Sequence, residues 1–452
     1  MNGQDLLKKI DSNCSSEILI GLYGENEADN ARKRYKKLIT EMLNDTPGGS
    51  INTSGNLRVF SAPGRTELAG NHTDHNRGKV LAAAVQLDTV AIVQQRNDNI
   101  VFFRSAGYSD VKVKLTDTSG APDLQPKPEE KETTAALTRG IAAGLNCRLG
   151  SPIGGFSANA DSNVLSGSGL SSSAAVEVLL GRIFDNLYGG GKLSALEIAQ
   201  IGQSAENVYF GKPCGLMDQI TCVTGGAVTI DFADAASPKI KQINFDLASA
   251  GYALCVVNTG GSHADLTADY ASIPAEMKSV AAFFGKSVLG ELEKETVLTN
   301  AAEVRKKFGD RALLRSLHFF NENSRVDAMT MALAEMENAV TSAAKQQVLN
   351  TYFDLVNESC DSSWELLQNV YSPLNPEAQG ISAALVLTRD FLKKQKLYGA
   401  CRVHGGGFAG TIQAYVPLDA VEMYRANIET IFGSGSVTVL QIRPKGAIEL
   451  FS

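Results

Sequence analysis

The chain has 452 residues, of which 44% are hydrophobic and 20% are charged, and these ordinary globular values exclude collagen-like, coiled-coil and broadly disordered proteins. The net charge of −7 comes without a block of Lys or Arg, and no apolar run approaches the roughly 18 residues of a membrane span, so we expect neither nucleic acid nor membrane as a partner. Seven widely spaced cysteines without a Cys-x-x-Cys motif argue against a disulfide framework or a zinc ribbon.

The predicted elements begin with an amphipathic helical segment over residues 1–56, which we expect to pack on an N-terminal lobe. The strands predicted next lie near residues 57–62, 80–95, 100–104 and 111–115. Helical patterns follow near residues 132–146, 172–188 and 194–209. Three further strands are predicted near residues 226–232, 239–245 and 252–258.

The second half of the chain is mostly helical by its periodicity, from residue 263 to about residue 397. Loops are predicted within it around Pro274, around Gly285, and at residues 321–324 and 373–376. A strand, a helix and a strand return at residues 399–403, 418–432 and 436–442. Segregated strands and helices predict α+β lobes, one at 57–227 and one at 228–452, and the pattern allows the last strands to return to the first lobe.

Glycine is the unusual feature of the composition, with 42 residues, above the usual level of about 7%. Nine of them frame polar residues in three distant segments, at 63–78, 166–175 and 404–410. Because binding and catalytic residues concentrate on loops, these three segments are the candidate functional regions.

The second segment has the features of a phosphate loop. Gly167 and Gly169 allow a tight turn, Ser171 to Ser173 can cap a helix, and the residues from Ala174 onward favour a helix. Free N–H groups at the start of that helix would face the loop, so a polyphosphate is the natural ligand. A helix cap after a flexible turn is the simpler alternative, although two glycines and three hydroxyls exceed what capping requires.

Two better-known nucleotide motifs are not supported. Gly285-Lys-Ser lacks the first glycine of a P-loop, because Val280 stands there. Gly167-x-Gly169 lacks the third glycine of a dinucleotide-binding fold, because Ser172 stands there.

The first segment is dense in hydrogen-bonding side chains, which suits a polyhydroxyl ligand or a metal. Its polar members are Arg65, His72, Asp74, His75 and Asn76. We rank zinc below ligand recognition, because no third ligand accompanies the two histidines. Further along the chain, Glu206 and Asp218 are carboxylates in apolar surroundings, and each is either a helix cap or a functional group.

Four motifs, in this order and spacing, resemble the GHMP kinase superfamily, and the first and third resemble its galactokinase branch. They are Pro-Gly-Arg…Gly-x-His-Thr-Asp from residue 63, Gly-Leu-Ser-Ser-Ser-Ala-Ala from 169, Gly-Leu-Met-Asp-Gln from 215 and Gly-Gly-Gly-Phe-x-Gly from 405. The resemblance runs from about residue 57 to the C-terminus. It implies phosphorylation of a sugar at its anomeric hydroxyl, with ATP and Mg²⁺, in a cleft between two α+β lobes.

The resemblance also implies roles for individual residues. Asp218 matches the catalytic base facing the sugar 1-hydroxyl, and Arg65 matches its cationic neighbour. Ser172 and Glu206 match the Mg²⁺ ligands. The matching ATP-binding positions are Gly167, Ser168, Gly169, Leu170, Ser171, Ser172, Ser173 and Ala174. The matching sugar-binding positions are Asn71, His72, Asp74, Gly215, Tyr270 and Gly406.

The chemistry of these residue types agrees with the implied reaction. A sugar hydroxyl is a weak acid, and a carboxylate base typically contributes about 10²–10⁴-fold to the rate. An adjacent guanidinium favours the ionised carboxylate and stabilises charge on the moving phosphoryl group. A hydroxyl and a carboxylate are suitable hard ligands for a metal that bridges phosphate oxygens.

The chain departs from the usual galactokinase pattern mainly near the sugar. The departures are Glu67 for a usual Asn, Asn71 for Glu, His75 for Tyr and Arg77 for Gly. The exchange of a carboxylate for an amide at Asn71, next to the added Arg77, makes the pocket edge less negative, so one hypothesis is a substrate that differs from galactose at C6, such as galacturonate. Thr134 and Leu137 stand where adenine-stacking aromatics are usual, which suggests a looser purine preference.

Our leading interpretation is an ATP-dependent sugar 1-kinase of the galactokinase type. A non-catalytic sugar- and ATP-binding regulator is an alternative, but the undamaged phosphate loop and the presence of Arg65, Glu206 and Asp218 favour an enzyme. A mevalonate-type or homoserine-type kinase is disfavoured by Gly-x-His-Thr-Asp. We expect a cytoplasmic protein that is a monomer or a weak homodimer.

Overall fold

Three helices precede the first sheet in the computed structural model. The residues that this structure describes are 1–49, 56–164, 169–261 and 266–451. The helices are α1 (Gly3–Ile10), α2 (Asn13–Tyr23) and α3 (Ala28–Asn44). Asn2 and Ser12 cap the first two by accepting backbone N–H groups. Their apolar faces, including Leu6 and Tyr35, are buried against strand residues such as Ile92.

A sheet of eight strands forms the centre of the first half, as far as the described residues show. Its strands are β1 (Leu57–Ala69), β2 (Lys79–Gln95), β3 (Ile100–Ser105), β4 (Val111–Lys114), β5 (Phe156–Ser162), β6 (Ala227–Asp231), β7 (Lys239–Ile243) and the last strand of the chain, Ile448–Leu450. The pairing is antiparallel except between β3 and β5, which run parallel. The helices packed on this sheet are α4 (Thr134–Leu149), α5 (Ser172–Phe184), α6 (Ala195–Ser204) and α7 (Met217–Thr224).

A second sheet of four strands lies in the other half. Its strands are β8 (Tyr252–Asn258), β9 (Ala400–His404), β10 (Thr411–Pro417) and β11 (Val437–Leu440), so the last strand, Ile448–Leu450, is β12. The helices of this half are α8 (Thr267–Phe283), α9 (Lys294–Thr299), α10 (Ala301–Phe308), α11 (Asp310–Asn338), α12 (Ser342–Ser362), α13 (Gly380–Lys394) and α14 (Val421–Phe432). Leu81 of β2, Leu254 of β8, Met329 of α11 and Tyr352 of α12 share one buried core, which joins the halves.

Three predicted loops differ from the structure. Pro274 lies inside α8, and residues 321–324 lie inside α11. Asn323 uses its side chain to accept the Lys79 N–H at 2.7 Å, so a tertiary contact outweighs the loop preference of Asn. The first glycine-rich segment also begins as strand, because β1 continues past Arg65 with two shifts in register.

The strand pairing bears on the lobe boundary. β6 and β7 pair with β2 and with each other, and therefore extend the first sheet beyond residue 227. β12 pairs with β1, so the chain returns to the first sheet at its end. The first sheet therefore includes residues up to Ile243. Among the described helices, none is long and apolar enough to cross a membrane.

Candidate active site

The centre of the site is a two-point ion pair between Arg65 and Asp218. Arg65 Nε donates to Asp218 Oδ1 at 2.8 Å, and Arg65 Nη2 donates to Oδ2 at 2.7 Å. Arg65 lies buried on β1, whereas the side chain of Asp218, in the first turn of α7, is 30% exposed. Burial lowers the pKa of Arg65 but Asp218 raises it, and the net shift is upward, so the guanidinium is charged. The pair fixes the plane of a carboxylate that a ligand can still reach.

The predicted phosphate loop lies directly against this pair. Arg65 Nη1 donates to the Gly169 carbonyl, and the Ser171 hydroxyl donates to Asp218 Oδ2. Ser171 has a left-handed backbone, with φ of 57°, and immediately precedes α5. The first N–H groups of a helix have no partner within the helix, so this end of α5 is suited to an anion such as phosphate.

The remaining predicted ATP-binding residues surround the start of α5. Leu170 is fully buried and its carbonyl accepts the Arg65 N–H at 3.0 Å. A Cβ on Gly64 would lie 2.6 Å from that carbonyl, so this glycine allows β1 to approach the loop. Ser172, Ser173 and Ala174 are the first three residues of α5. Gly167 and Ser168 lie outside the described residues.

Two buried carboxylates lie behind the start of α5. Glu206 is 3% exposed, and its Oε1 lies 3.4 Å from the Ser173 hydroxyl. Gln219 Nε2 bridges Glu206 Oε2 at 3.2 Å and Glu177 Oε2 at 2.9 Å. Burial, and after it the charge of Glu206, raises the pKa of Glu177 well above its usual value. Sequence reasoning missed Glu177, although a carboxylate between Val176 and Val178 of a helix was a signal for it.

The donors at this position fit a hard divalent cation. Glu206 supplies a buried carboxylate whose Oε1 lies 3.4 Å from both the Ser173 hydroxyl and Lys212 Nζ, and the serines at the start of α5 supply hydroxyls. Mg²⁺ prefers such oxygen donors and usually keeps phosphate and water among its ligands. Ser172 was the expected hydroxyl ligand, and its neighbour Ser173 is the one that donates to Glu206 in the structure.

Asp74 and Gly215 fit closely against each other. A Cβ built on Gly215 would lie 1.8 Å from Asp74 Oδ2, so the approach requires a residue without a side chain. Asp74 Oδ1 accepts the His75 N–H at 2.9 Å, which restricts rotation of the carboxylate. Burial, and then the charge of Asp218, raises the pKa of Asp74 to about 6. Asp74 therefore lies within electrostatic reach of the Arg65–Asp218 pair.

Asn71, expected to contact sugar, forms its hydrogen bonds within the protein. It is fully buried, and its Nδ2 donates to Glu67 Oε1 at 2.9 Å and to the Gly405 carbonyl at 2.6 Å. Its Oδ1 accepts from Asn369 Nδ2 at 2.8 Å. Glu67 also accepts from Arg402 Nη2 at 2.9 Å. Glu67 and Asn71 thus form one bonded pair, and the carboxylate of Glu67 lies at the start of the loop formed by residues 70–76.

Side chains predicted to bind sugar hold consecutive carbonyls of the third glycine-rich segment. His72 Nε2 hydrogen-bonds to the Gly406 carbonyl at 2.9 Å. Tyr270 Oη donates to the Gly407 carbonyl at 3.0 Å. A Cβ on Gly406 would lie 2.5 Å from Tyr270 Cε1, so only glycine fits beneath that ring. The structure therefore brings residues 71, 72, 270 and 406 together.

Of the other departures, Arg77 and Leu137 lie away from this cluster, whereas the His75 ring lies beside that of His72, with centroids 5.7 Å apart. Arg77 is largely at the surface, where its Nη1 pairs with Glu291 Oε1 at 2.7 Å. Asn76 Nδ2 donates to His75 Nδ1 at 2.8 Å. Leu137 is 5% exposed and packs in the core of the first half, so it is not presented to a base.

Comparisons with known proteins identify the family of the chain. The GHMP kinases N-terminal domain matches residues 136–226, and the galactokinase galactose-binding signature matches residues 51–95. The chain is 30% identical to galactokinase of Streptomyces coelicolor over 384 residues, covering 84% of this chain and 89% of that one. It is also 30% identical to galactokinase of Glaesserella parasuis, covering 80% and 86%.

The fold is similar to a crystal structure of Lactococcus lactis galactokinase complexed with galactose. The TM-score is 0.70 at 24% identity, covering 87% of this chain and 95% of that one. The expected two-lobed α+β fold is thereby confirmed. The chain belongs to the galactokinase branch of the GHMP kinases, a superfamily of phosphotransferases.

Proposed function

We propose that the protein phosphorylates D-galactose at its anomeric hydroxyl, with ATP as the phosphoryl donor. The observation that carries the proposal is the Arg65–Asp218 pair, which contacts the phosphate loop through Gly169 and Ser171. Asp74 lies close enough for the charge of Asp218 to raise its pKa. Asp218 as a base, the phosphate loop, and Asp74 as a hydrogen-bond acceptor for a sugar hydroxyl therefore lie next to one another.

The reaction follows from the position of Asp218. Its carboxylate accepts the proton of the sugar 1-hydroxyl while the hydroxyl oxygen attacks the γ-phosphorus of ATP. The bond from that phosphorus to the bridging oxygen breaks, and ADP leaves. Arg65 holds the carboxylate in place and offsets the negative charge of the approaching phosphates.

The start of α5 provides the nucleotide contacts. Its free N–H groups and the hydroxyls of Ser171 to Ser173 would bind the phosphates. Ser172 and Glu206 would hold Mg²⁺, which neutralises phosphate charge when it is bound. Leu137 is buried and offers the base no stacking surface, so comparing ATP with GTP at saturating sugar tests the looser purine preference.

Galactose is favoured over galacturonate by two contacts. The added cation, Arg77, pairs with Glu291 near the surface. The carboxylate of Glu67 accepts from Asn71 and is paired with Arg402, so neither Arg77 nor Arg402 is left to attract the carboxylate of a uronate. His72, Asp74, Gly215 and Tyr270 then form the proposed sugar-binding set, with Asn71 and Gly406 arranging the loops around it.

The test is an ADP-release assay across galactose, glucose, N-acetylgalactosamine, galacturonate and mevalonate. Efficient turnover of galactose is the expected result. Turnover of galacturonate alone would favour the C6-variant substrate. Absence of turnover in every lane, with ATP and galactose still bound, would favour a non-catalytic regulator.

Location and assembly are part of the proposal. All seven cysteines are free, two of them exposed, which suits a reducing cytoplasm. We therefore propose a cytoplasmic location. We also propose a monomer or a weak homodimer, and sedimentation at several concentrations tests the assembly.

A further inference from the structure

Asn369 joins two loops of the site, and none of the motifs includes it. We call residues 70–76 the sugar loop and residues 405–408 the closing loop. Asn369 Nδ2 donates to Asn71 Oδ1 of the sugar loop at 2.8 Å and to the Gly406 carbonyl of the closing loop at 3.1 Å. Its own carbonyl accepts the Phe408 N–H at 2.5 Å. One residue therefore bonds to both loops.

The local backbone is built for this contact. Gln368 adopts a left-handed conformation, with φ of 59°, and ends the helical segment that precedes Asn369. Gly407 has φ of 77°, and a Cβ there would lie 2.2 Å from the Asn369 carbonyl. The closing loop can lie against Asn369 only because residue 407 has no side chain.

Stability alone is a poor explanation for this asparagine. Its side chain is fully buried, yet its Oδ1 has no hydrogen-bond partner among the described residues. An unpaired buried acceptor is unfavourable, and an apolar side chain in its place can be nearly neutral. Buried polar atoms of this kind call for a functional explanation.

We infer that Asn369 is a positioning residue of the sugar site, acting through Asn71 and Gly406 to hold the closing loop on the sugar loop. The effect on galactose rests on the proposed function, whereas the effect on loop order does not. Without Asn369, Asn71 Oδ1 loses its donor, and the Gly406 carbonyl loses one of the two donors it has among the described residues. The closing loop would then be less restrained, and the sugar would bind to a site that is less often assembled.

The test compares Asn369→Ala with Asn159→Ala as a matched control. Asn159 is also a buried asparagine, 3% exposed on β5, and its Nδ2 donates to Leu38 and Glu41 at 3.2 Å each. We expect Asn369→Ala to raise the KM for galactose at least tenfold, with kcat within about threefold and the KM for ATP within about twofold. The control should leave all three constants near those of wild type.

A second readout needs no sugar. Hydrogen exchange of the peptide covering residues 404–410 should be faster in Asn369→Ala than in wild type, and unchanged in Asn159→Ala. Equal exchange in all three proteins, or an unchanged KM for galactose in a wild type that uses it, would overturn the inference. If wild type does not use galactose, the proposed function fails while the exchange comparison still decides the role of Asn369.

A nearly isosteric variant covers failure of the alanine variant to fold. Asn369→Asp replaces the amide donor by an oxygen that faces Asn71 Oδ1 and the Gly406 carbonyl. We expect the same faster exchange and higher KM for galactose, and values like those of wild type would count against the inference.

Discussion

Gly215→Ala is the smallest change that should disable the sugar side of the site. The new methyl group would lie 1.8 Å from Asp74 Oδ2 and 2.8 Å from its Cγ, whereas Cβ contacts under 3.0 Å are essentially never seen. One of the two groups must therefore move by about 1.2 Å. Asp74 cannot simply rotate away, because its Oδ1 is held by the His75 N–H.

The expected loss is set by that displacement. A misplacement of about 1 Å at a reacting centre can cost about 10²-fold in rate. We therefore expect kcat/KM for the sugar to fall by about 10²-fold in Gly215→Ala, while the KM for ATP stays within about twofold. Steady-state kinetics with each substrate varied in turn measures both quantities.

The matched control is Gly21→Ala on α2, where an added Cβ meets nothing within 4 Å. It should leave the kinetics unchanged and raise the free energy of unfolding by about 0.5–1 kcal/mol, as expected for Ala in place of Gly in a helix. If Gly215→Ala retains a kcat/KM within twofold of wild type, the reasoning about Asp74 is refuted.

Three further predictions use the charges of the site. Arg65→Ala should lower kcat more than it raises the KM for sugar, because the guanidinium matters most as phosphoryl charge moves, and equal effects on both would contradict this. The kcat/KM for sugar should fall as the pH drops through about 6, where Asp74 becomes protonated, and Asp74→Asn should lack that limb. Glu177→Gln should become more stable relative to wild type as the pH rises above 4.5, because the raised pKa of Glu177 makes wild type lose stability when this carboxyl must ionise. The difference in the free energy of unfolding should grow by up to about 1.4 kcal/mol per pH unit. Denaturant melts of both proteins from pH 5 to pH 8 measure it, and a difference that does not change with pH would contradict the prediction.

The sequence located the site through its glycines, because close backbone approach leaves a local signature. Gly215 and Gly406 are examples, since each is packed against a side chain of the site. The Arg65–Asp218 pair joins residues 153 positions apart, and only the family resemblance linked them in advance. Roles that depend on contacts between side chains far apart in the sequence were harder to predict from it.

Residues 67, 71 and 369 show why. From the sequence, the exchange of carboxylate and amide between Glu67 and Asn71 indicated an altered pocket. In the structure the two side chains are hydrogen-bonded to each other, and this contact depends on the strand bulge near the end of β1, which the sequence pattern does not reveal. Asn369 lies outside every motif, after a turn that no periodicity marks. Residues 321–324 were predicted as a loop from composition, although tertiary contacts keep them in α11.

Replacement of Asp218 by Asn tests the central claim, that this carboxylate takes the proton of the sugar hydroxyl, most directly. The amide keeps the shape of the side chain, so sugar binding measured by calorimetry should stay close to that of wild type. Turnover should fall by about two to four orders of magnitude. An Asp218→Asn protein that binds sugar and turns over at nearly the wild-type rate would contradict the account.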